Sequence, residues 1–156
     1  RMRIRESLGT PADRVVVLMT GRLVEEKGYR ELVTAMRDID AELWAVGARL
    51  ESDHASGIAD IIASIDRDPD LKSRIRFLGY RQDVPDLMRA ADIFTLPSHR
   101  EGMPRSIIEA MQMHWRTVCD LWLPNPGCAN AWERPVWNAH AVCLTSRRLS
   151  PASSII

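Results

Sequence analysis

The chain is poor in lysine: of 21 basic residues only Lys27 and Lys72 are lysines. It has no excess charge of either sign, because 21 acidic residues balance the 21 basic ones. That balance argues against a general nucleic-acid binder, which carries a basic excess. No apolar run reaches the roughly 18 residues that a membrane-spanning helix needs. The N-terminal Arg1-Met-Arg-Ile-Arg5 lacks the apolar stretch of a secretory signal. The chain does not begin with Met, and a start inside a longer protein is expected. Cysteine is scarce: Cys119, Cys128 and Cys143 are odd in number and have no metal-ligand spacing. A disulfide scaffold or zinc ribbon is therefore not expected, nor is a metal. There is no internal repeat and no low-complexity tract. What is present is 156 residues, of which 46% are apolar, enough for one domain with a buried core. The expected class is a reduced, soluble, cytoplasmic protein.

Composition changes near residue 113. Residues 1–113 hold 36 of the 42 charged residues and seven of the eight glycines, while residues 114–156 hold four of the five tryptophans and all three cysteines. The first part is patterned. Val15-Val-Val-Leu-Met19, ending at Thr20-Gly21, is a continuous apolar run of the kind that forms a strand buried on both faces. Leu43–Val46, Ile75–Leu78 and Asp92–Leu96 repeat the pattern. Between and after them, residues recur at helical spacing: Tyr29, Leu32, Val33, Met36 and Ile39; Ile58, Ile61, Ile62 and Ile65; Val84, Leu87, Met88 and Ala91; Ile107, Ile108 and Met111. Asp83 is placed to cap the third helix with Pro85 in its first turn, and Pro104 to open the fourth. Four alternations of strand and helix predict an α/β fold, a Rossmann-like parallel sheet with flanking helices. Ligands of such sheets lie beyond the carboxyl ends of the strands. The tail keeps neither period for long, and residues 147–156 read as a frayed end.

Three loops at predicted strand ends carry chemistry. Gly21-Arg22-Leu-Val-Glu-Glu-Lys27-Gly28 places two cations in one loop before a helix, which suits a phosphate or diphosphate. The same spacing is equally that of a solvated loop in which Arg22 and Lys27 pair with Glu25 and Glu26. It matches neither a Walker loop nor a dinucleotide fingerprint. Pro97-Ser-His-Arg-Glu101-Gly102-Met103-Pro-Arg-Ser-Ile-Ile-Glu109 brings two carboxylates to a second loop and the helix after it. A carboxylate facing a vicinal diol makes charge-assisted bonds to both hydroxyls; a glutamate near a helix start also simply favours the dipole. Gly102 allows close approach of backbone to a ligand. Phe77-Leu-Gly79-Tyr80-Arg81-Gln-Asp83 is the third, where a base can lie against Gly79 and Tyr80 with Leu87 beneath. His99 lies in the right loop for acid–base work, although a lone histidine is more often a surface or structural residue. Asp53 and His54 lack a third metal ligand, and the cysteines lack a base.

Taken together, these stretches resemble the C-terminal, donor-binding domain of retaining GT-B glycosyltransferases of family four, also called group 1. The resemblance rests on Gly21-Arg22-Leu23 with Glu26-Lys27-Gly28, on Phe77-Leu78-Gly79-Tyr80, on Ala91-Asp92-Ile93 through Leu96-Pro97-Ser98, and on Glu101-Gly102 through Glu109-Ala110-Met111. The last contains the family's Glu-x7-Glu pattern. The resemblance covers roughly residues 10–113 and is closest to the subgroup acting on lipid-linked or surface polysaccharides. It implies a nucleotide diphosphate sugar as donor, with Arg22 and Lys27 on the diphosphate in place of a metal and no cofactor. It implies Glu109 on the ribose, Glu101 by the transferred sugar, and the backbone of Gly21, Gly102 and Met103 near sugar and phosphates. Tyr80, Arg81 and Leu87 would face the base.

Two departures follow from the same resemblance. The family has a second, N-terminal domain that contacts a glycan or lipid-linked acceptor, and 156 residues cannot contain both domains. A fragment inactive alone is therefore expected, from a parent peripherally associated with the inner face of the membrane. The family also continues after Glu-Ala-Met with Gly-x-Pro-Val-Val-Ala-Thr and another strand, whereas Gln112-Met-His-Trp-Arg follows here. Residues 114–156 are thus expected to be an atypical tail, read from a shifted frame or disordered, leaving a sheet edge exposed. The rival expectation is a non-catalytic nucleotide- or phosphate-binding α/β module.

Overall fold

The computed structural model describes residues 1–48, 56–101, 103, 105–113, 116–117 and 142–145. Asp53, His54, Gly102, Pro104, Cys119, Cys128 and residues 147–156 lie outside them. In chain order the elements are α1 (Met2–Ser7), β1 (Val16–Thr20), a 3-10 turn (Glu25–Lys27), α2 (Tyr29–Ala35), β2 (Glu42–Val46), α3 (Ser56–Asp66), α4 (Pro69–Arg74), β3 (Ile75–Gly79), α5 (Val84–Ala90), β4 (Ile93–Leu96), α6 (Arg105–Gln112), β5 (Arg116–Thr117) and β6 (Val142–Thr145). The four expected strands form a parallel sheet in the order β3-β2-β1-β4, so the predicted Rossmann-like α/β fold is the fold found. The edge of β4, expected to be open, is paired antiparallel with β6, and β5 follows it.

Alternation along β1 explains why its sequence is apolar throughout. Val17 and Met19 pack against α2, α3 and Leu71 of α4 on one face. Val16 and Leu18 pack with Leu87 and Met88 of α5 and Ala110 of α6 on the other. Both faces of the sheet are covered, as a parallel sheet requires. The predicted apolar face of α6 is only partly used: Ala110 is buried, whereas Ile108 and Met111 are exposed.

Two features were not foreseen. α1 precedes the sheet, and its Arg5 is buried below β1 and β4. Arg5 donates to the carbonyls of Ala90, Pro11, Ala12 and Arg14 and to Asp92 at 2.6 Å. Asp92, expected inside the strand, instead precedes β4 and accepts the Val16 N–H at 2.9 Å. The second feature is Asp83. It occupies the N-cap position of α5, but its side chain makes no cap hydrogen bond and pairs with Arg81 instead. Its backbone, at φ −90° and ψ 29°, is not the extended conformation that aims an N-cap side chain at the helix N–H groups, and the Arg81 guanidinium takes both carboxylate oxygens instead.

Candidate functional site

The order β3-β2-β1-β4 contains a reversal. The chain moves outward from β1 to β3, then returns to the opposite side of β1 as β4. Connections leaving β1 and β4 therefore diverge, and a crevice opens at their carboxyl ends. A cavity of about 330 Å³ lies there. Thr20, Gly21, Arg22 and Lys27 line it from the β1 side, Leu96, Glu101 and Met103 from the β4 side, and Arg105, Ser106 and Glu109 from α6. The first two sequence loops thus meet in one place.

Hydrogen bonds and close contacts hold them there. The Gly21 N–H donates to the Val46 carbonyl at 2.9 Å, and the Tyr29 hydroxyl donates to the Gly21 carbonyl at 3.0 Å. Burial pushes the Tyr29 pKa well above its ordinary value, so the hydroxyl remains a donor. The Gly21 peptide is fixed at both ends, and Arg22 follows directly. Gly28 has φ +74°, and a Cβ there would stand 1.9 Å from the Pro97 carbonyl oxygen. The His99 N–H donates to the Glu26 carbonyl at 2.9 Å. A 3-10 turn rather than a regular helix occupies Glu25–Lys27, and α2 starts after it.

Lys27 pairs with Glu101, Nζ to Oε1 at 2.6 Å, not with Glu25 or Glu26. The solvated-loop expectation is corrected at this residue: Lys27 turns inward across the crevice, and Glu25 meets Arg30 instead. Burial pushes the Glu101 carboxyl up, but the Lys27 ammonium bonded to it outweighs that and holds it below its ordinary value. A group depressed in this way adds stability above its unfolded pKa and loses it as pH falls through its folded one. Melting temperature is therefore expected to fall as pH drops below the ordinary carboxylate range, and Glu101→Gln is expected to flatten part of that slope. An unchanged slope in the variant removes the ion pair from the pH dependence.

The third loop does not join this cavity. Tyr80 is 74% exposed, and Arg81 is held by both carboxylate oxygens of Asp83 at 2.8 and 2.7 Å. That pairing draws the Asp83 pKa down. Leu87, expected beneath a base, has no exposed surface and belongs to the core under the sheet. Its helical spacing marked the inward face, which supports the loop from within and offers nothing to a ligand. Thr20, Arg105 and Ser106 line the cavity and were missed as site residues. Arg105 carried a usable signal: it stands four residues before Glu109, hence on the same helical face. Among the described residues no group of three His, Cys, Asp or Glu side chains converges as metal ligands. Among them, too, no helix is long and apolar enough to cross a membrane.

The family model for glycosyl transferases group 1 matches residues 14–120. The chain belongs to that family. It is 33% identical over 107 residues to the lipopolysaccharide core biosynthesis glycosyltransferase LpsE of Rhizobium meliloti, covering 68% of this chain and 29% of that protein. It is 45% identical over 51 residues to the UDP-Gal:alpha-D-GlcNAc-diphosphoundecaprenol alpha-1,3-galactosyltransferase of Escherichia coli, covering 33% of this chain and 13% of that protein. Among solved structures, Anabaena HepE in complex with UDP-glucose superposes with a TM-score of 0.63 at 31% identity, covering 70% of this chain and 30% of HepE. The chain spans less than a third of the length of each of these relatives. The fold expected from the resemblance, a Rossmann-like part of the C-terminal half of a GT-B glycosyltransferase, is shared with HepE.

Proposed function

We propose that this group 1 chain is the donor-binding portion of a retaining glycosyltransferase. The parent enzyme moves a hexose from a nucleotide diphosphate sugar to a glycan or lipid-linked acceptor. The carrying observation is the meeting of Arg22, Lys27, Glu101 and Glu109 around one cavity at the reversal point of the sheet. In this reading Arg22 and Lys27 hold the diphosphate without a metal. As the glycosidic C–O bond breaks, charge builds on the departing diphosphate, and fixed cations stabilise it. Glu109 takes the ribose hydroxyls, and Glu101 lies by the sugar, with the backbone of Gly21 and Met103 close by. HepE is a relative with UDP-glucose bound, which supports such a donor. The named acceptor of the Escherichia coli relative supports a lipid-linked one. The acceptor is held by a further domain, the chain alone does not turn over, and the parent works in the cytoplasm at the inner membrane face.

Titration of the chain with UDP and with uridine tests this. Each charge-assisted contact contributes about 1.5–3 kcal/mol. Replacing both cations, Arg22→Ala with Lys27→Ala, is expected to weaken UDP about 100-fold or more and to leave uridine unchanged. Unchanged UDP binding overturns the donor site. Binding that ignores the diphosphate points to the non-catalytic nucleotide-binding module. Robust sugar transfer by this chain alone overturns its status as a fragment.

A further inference from the structure

The donor-site reading leaves one cavity cation without a task. Arg105 opens α6 and lines the cavity with Glu109. Among the described residues its guanidinium has no ion-pair partner. Lys27 differs, because Glu101 already holds it. An incoming anion must compete with a carboxylate for Lys27, but among the described residues no carboxylate pairs with Arg105.

Charge points the same way. The cavity is lined by three cations, Arg22, Lys27 and Arg105, and by two carboxylates, Glu101 and Glu109. Without Arg105 the two signs sum to zero; with it the cavity lining carries a net positive charge, which favours a diphosphate. Spacing supplies the rest. Residues four apart on a helix share a face, with a rise of about 6 Å between them. Arg105 therefore stands one turn from Glu109, toward the loop whose Glu101 reaches Lys27. A nucleotide diphosphate has the same order: ribose, then phosphates.

We propose that Arg105 is a third arm of the anion clamp, binding the donor diphosphate opposite Lys27 while Glu109 takes the ribose. The proposal rests on the donor-site reading and adds a residue to it.

Calorimetric titration of inorganic pyrophosphate into the full 156-residue chain tests it, with uridine as the phosphate-free probe. Arg105→Ala is expected to weaken pyrophosphate about tenfold or more and to leave uridine unchanged. Arg105→Lys is expected to fall between, since an ammonium keeps the charge but loses the fork. Arg105 is exposed, so matching melting curves are expected for all variants. If Arg105→Ala binds pyrophosphate like the unchanged chain while the Arg22/Lys27 double variant does not, the third arm falls and the donor site stands. If Arg105→Ala weakens only UDP-glucuronate relative to UDP-glucose, the guanidinium reads a sugar carboxylate and the proposal is overturned. Absence of pyrophosphate binding by the unchanged chain overturns both.

Discussion

Asp92→Ala is expected to cost about 3–5 kcal/mol, the loss seen when one partner of a buried ion pair is removed. Asp92 accepts from Arg5 at 2.6 Å, from Arg1 at 2.6 Å and from the Val16 N–H at 2.9 Å. The Arg5 and Asp92 side chains are 1% and 5% exposed. Truncation leaves a guanidinium charged in the interior and strands a backbone donor at the start of β1. Four carbonyl bonds to Arg5 survive, but none supplies a countercharge. For a chain of this size the cost corresponds to a fall in melting temperature of roughly 6–20 °C, and it is a large part of an ordinary domain's stability of about 5–15 kcal/mol. Asp92→Asn keeps an acceptor and is expected to lose less. The exposed pair Asp86–Arg89 is the control: exposed pairs contribute about 0–1 kcal/mol, so Asp86→Ala should melt almost unchanged. Thermal unfolding followed by circular dichroism decides the matter. A drop for Asp92→Ala no larger than that for Asp86→Ala would show that the buried cluster contributes no net stability.

Neither Arg5 nor Asp92 was legible as a pair, although the strands around them were. A strand buried on both faces writes itself as consecutive apolar residues, so β1 to β4 could be read in order and the α/β fold followed. An arginine near the N-terminus carries no such mark; its acceptors come from residues 11 to 14 and from 90 and 92, which only the folded sheet brings together. The candidate site shows the same division. Arg22, Lys27, Glu101 and Glu109 were found because each lies next to a strand end or in a recurring motif. The partner of Lys27 stayed open between a ligand and the neighbouring Glu25 and Glu26, because Glu101 is distant along the chain and comes close only once β4 lies beside β1. Leu87 was misplaced for a different reason. Helical spacing says which residues share a face and not whether that face meets solvent or the sheet.

The close approach of the two loops yields the other large effect. Gly28→Ala is expected to separate them and to abolish measurable pyrophosphate binding. Two terms add at this position. A left-handed φ of +74° costs an ordinary residue about 1–2 kcal/mol. A Cβ would also stand 1.9 Å from the Pro97 carbonyl oxygen, a backbone atom that cannot rotate away. Either the turn before α2 or the segment after β4 must move, and the 2.6 Å contact between Lys27 and Glu101 spans that junction. Gly9 and Gly79 isolate the first term: both have positive φ, and a Cβ at either meets nothing within 4 Å. Gly9→Ala and Gly79→Ala should therefore lose only the conformational strain and leave pyrophosphate binding intact. Gly28→Ala should lose more stability and the binding as well. Should all three variants melt alike and bind pyrophosphate alike, the contact with Pro97 does not hold the site together, and the cations keep their positions through the Gly21 and Lys27 interactions alone.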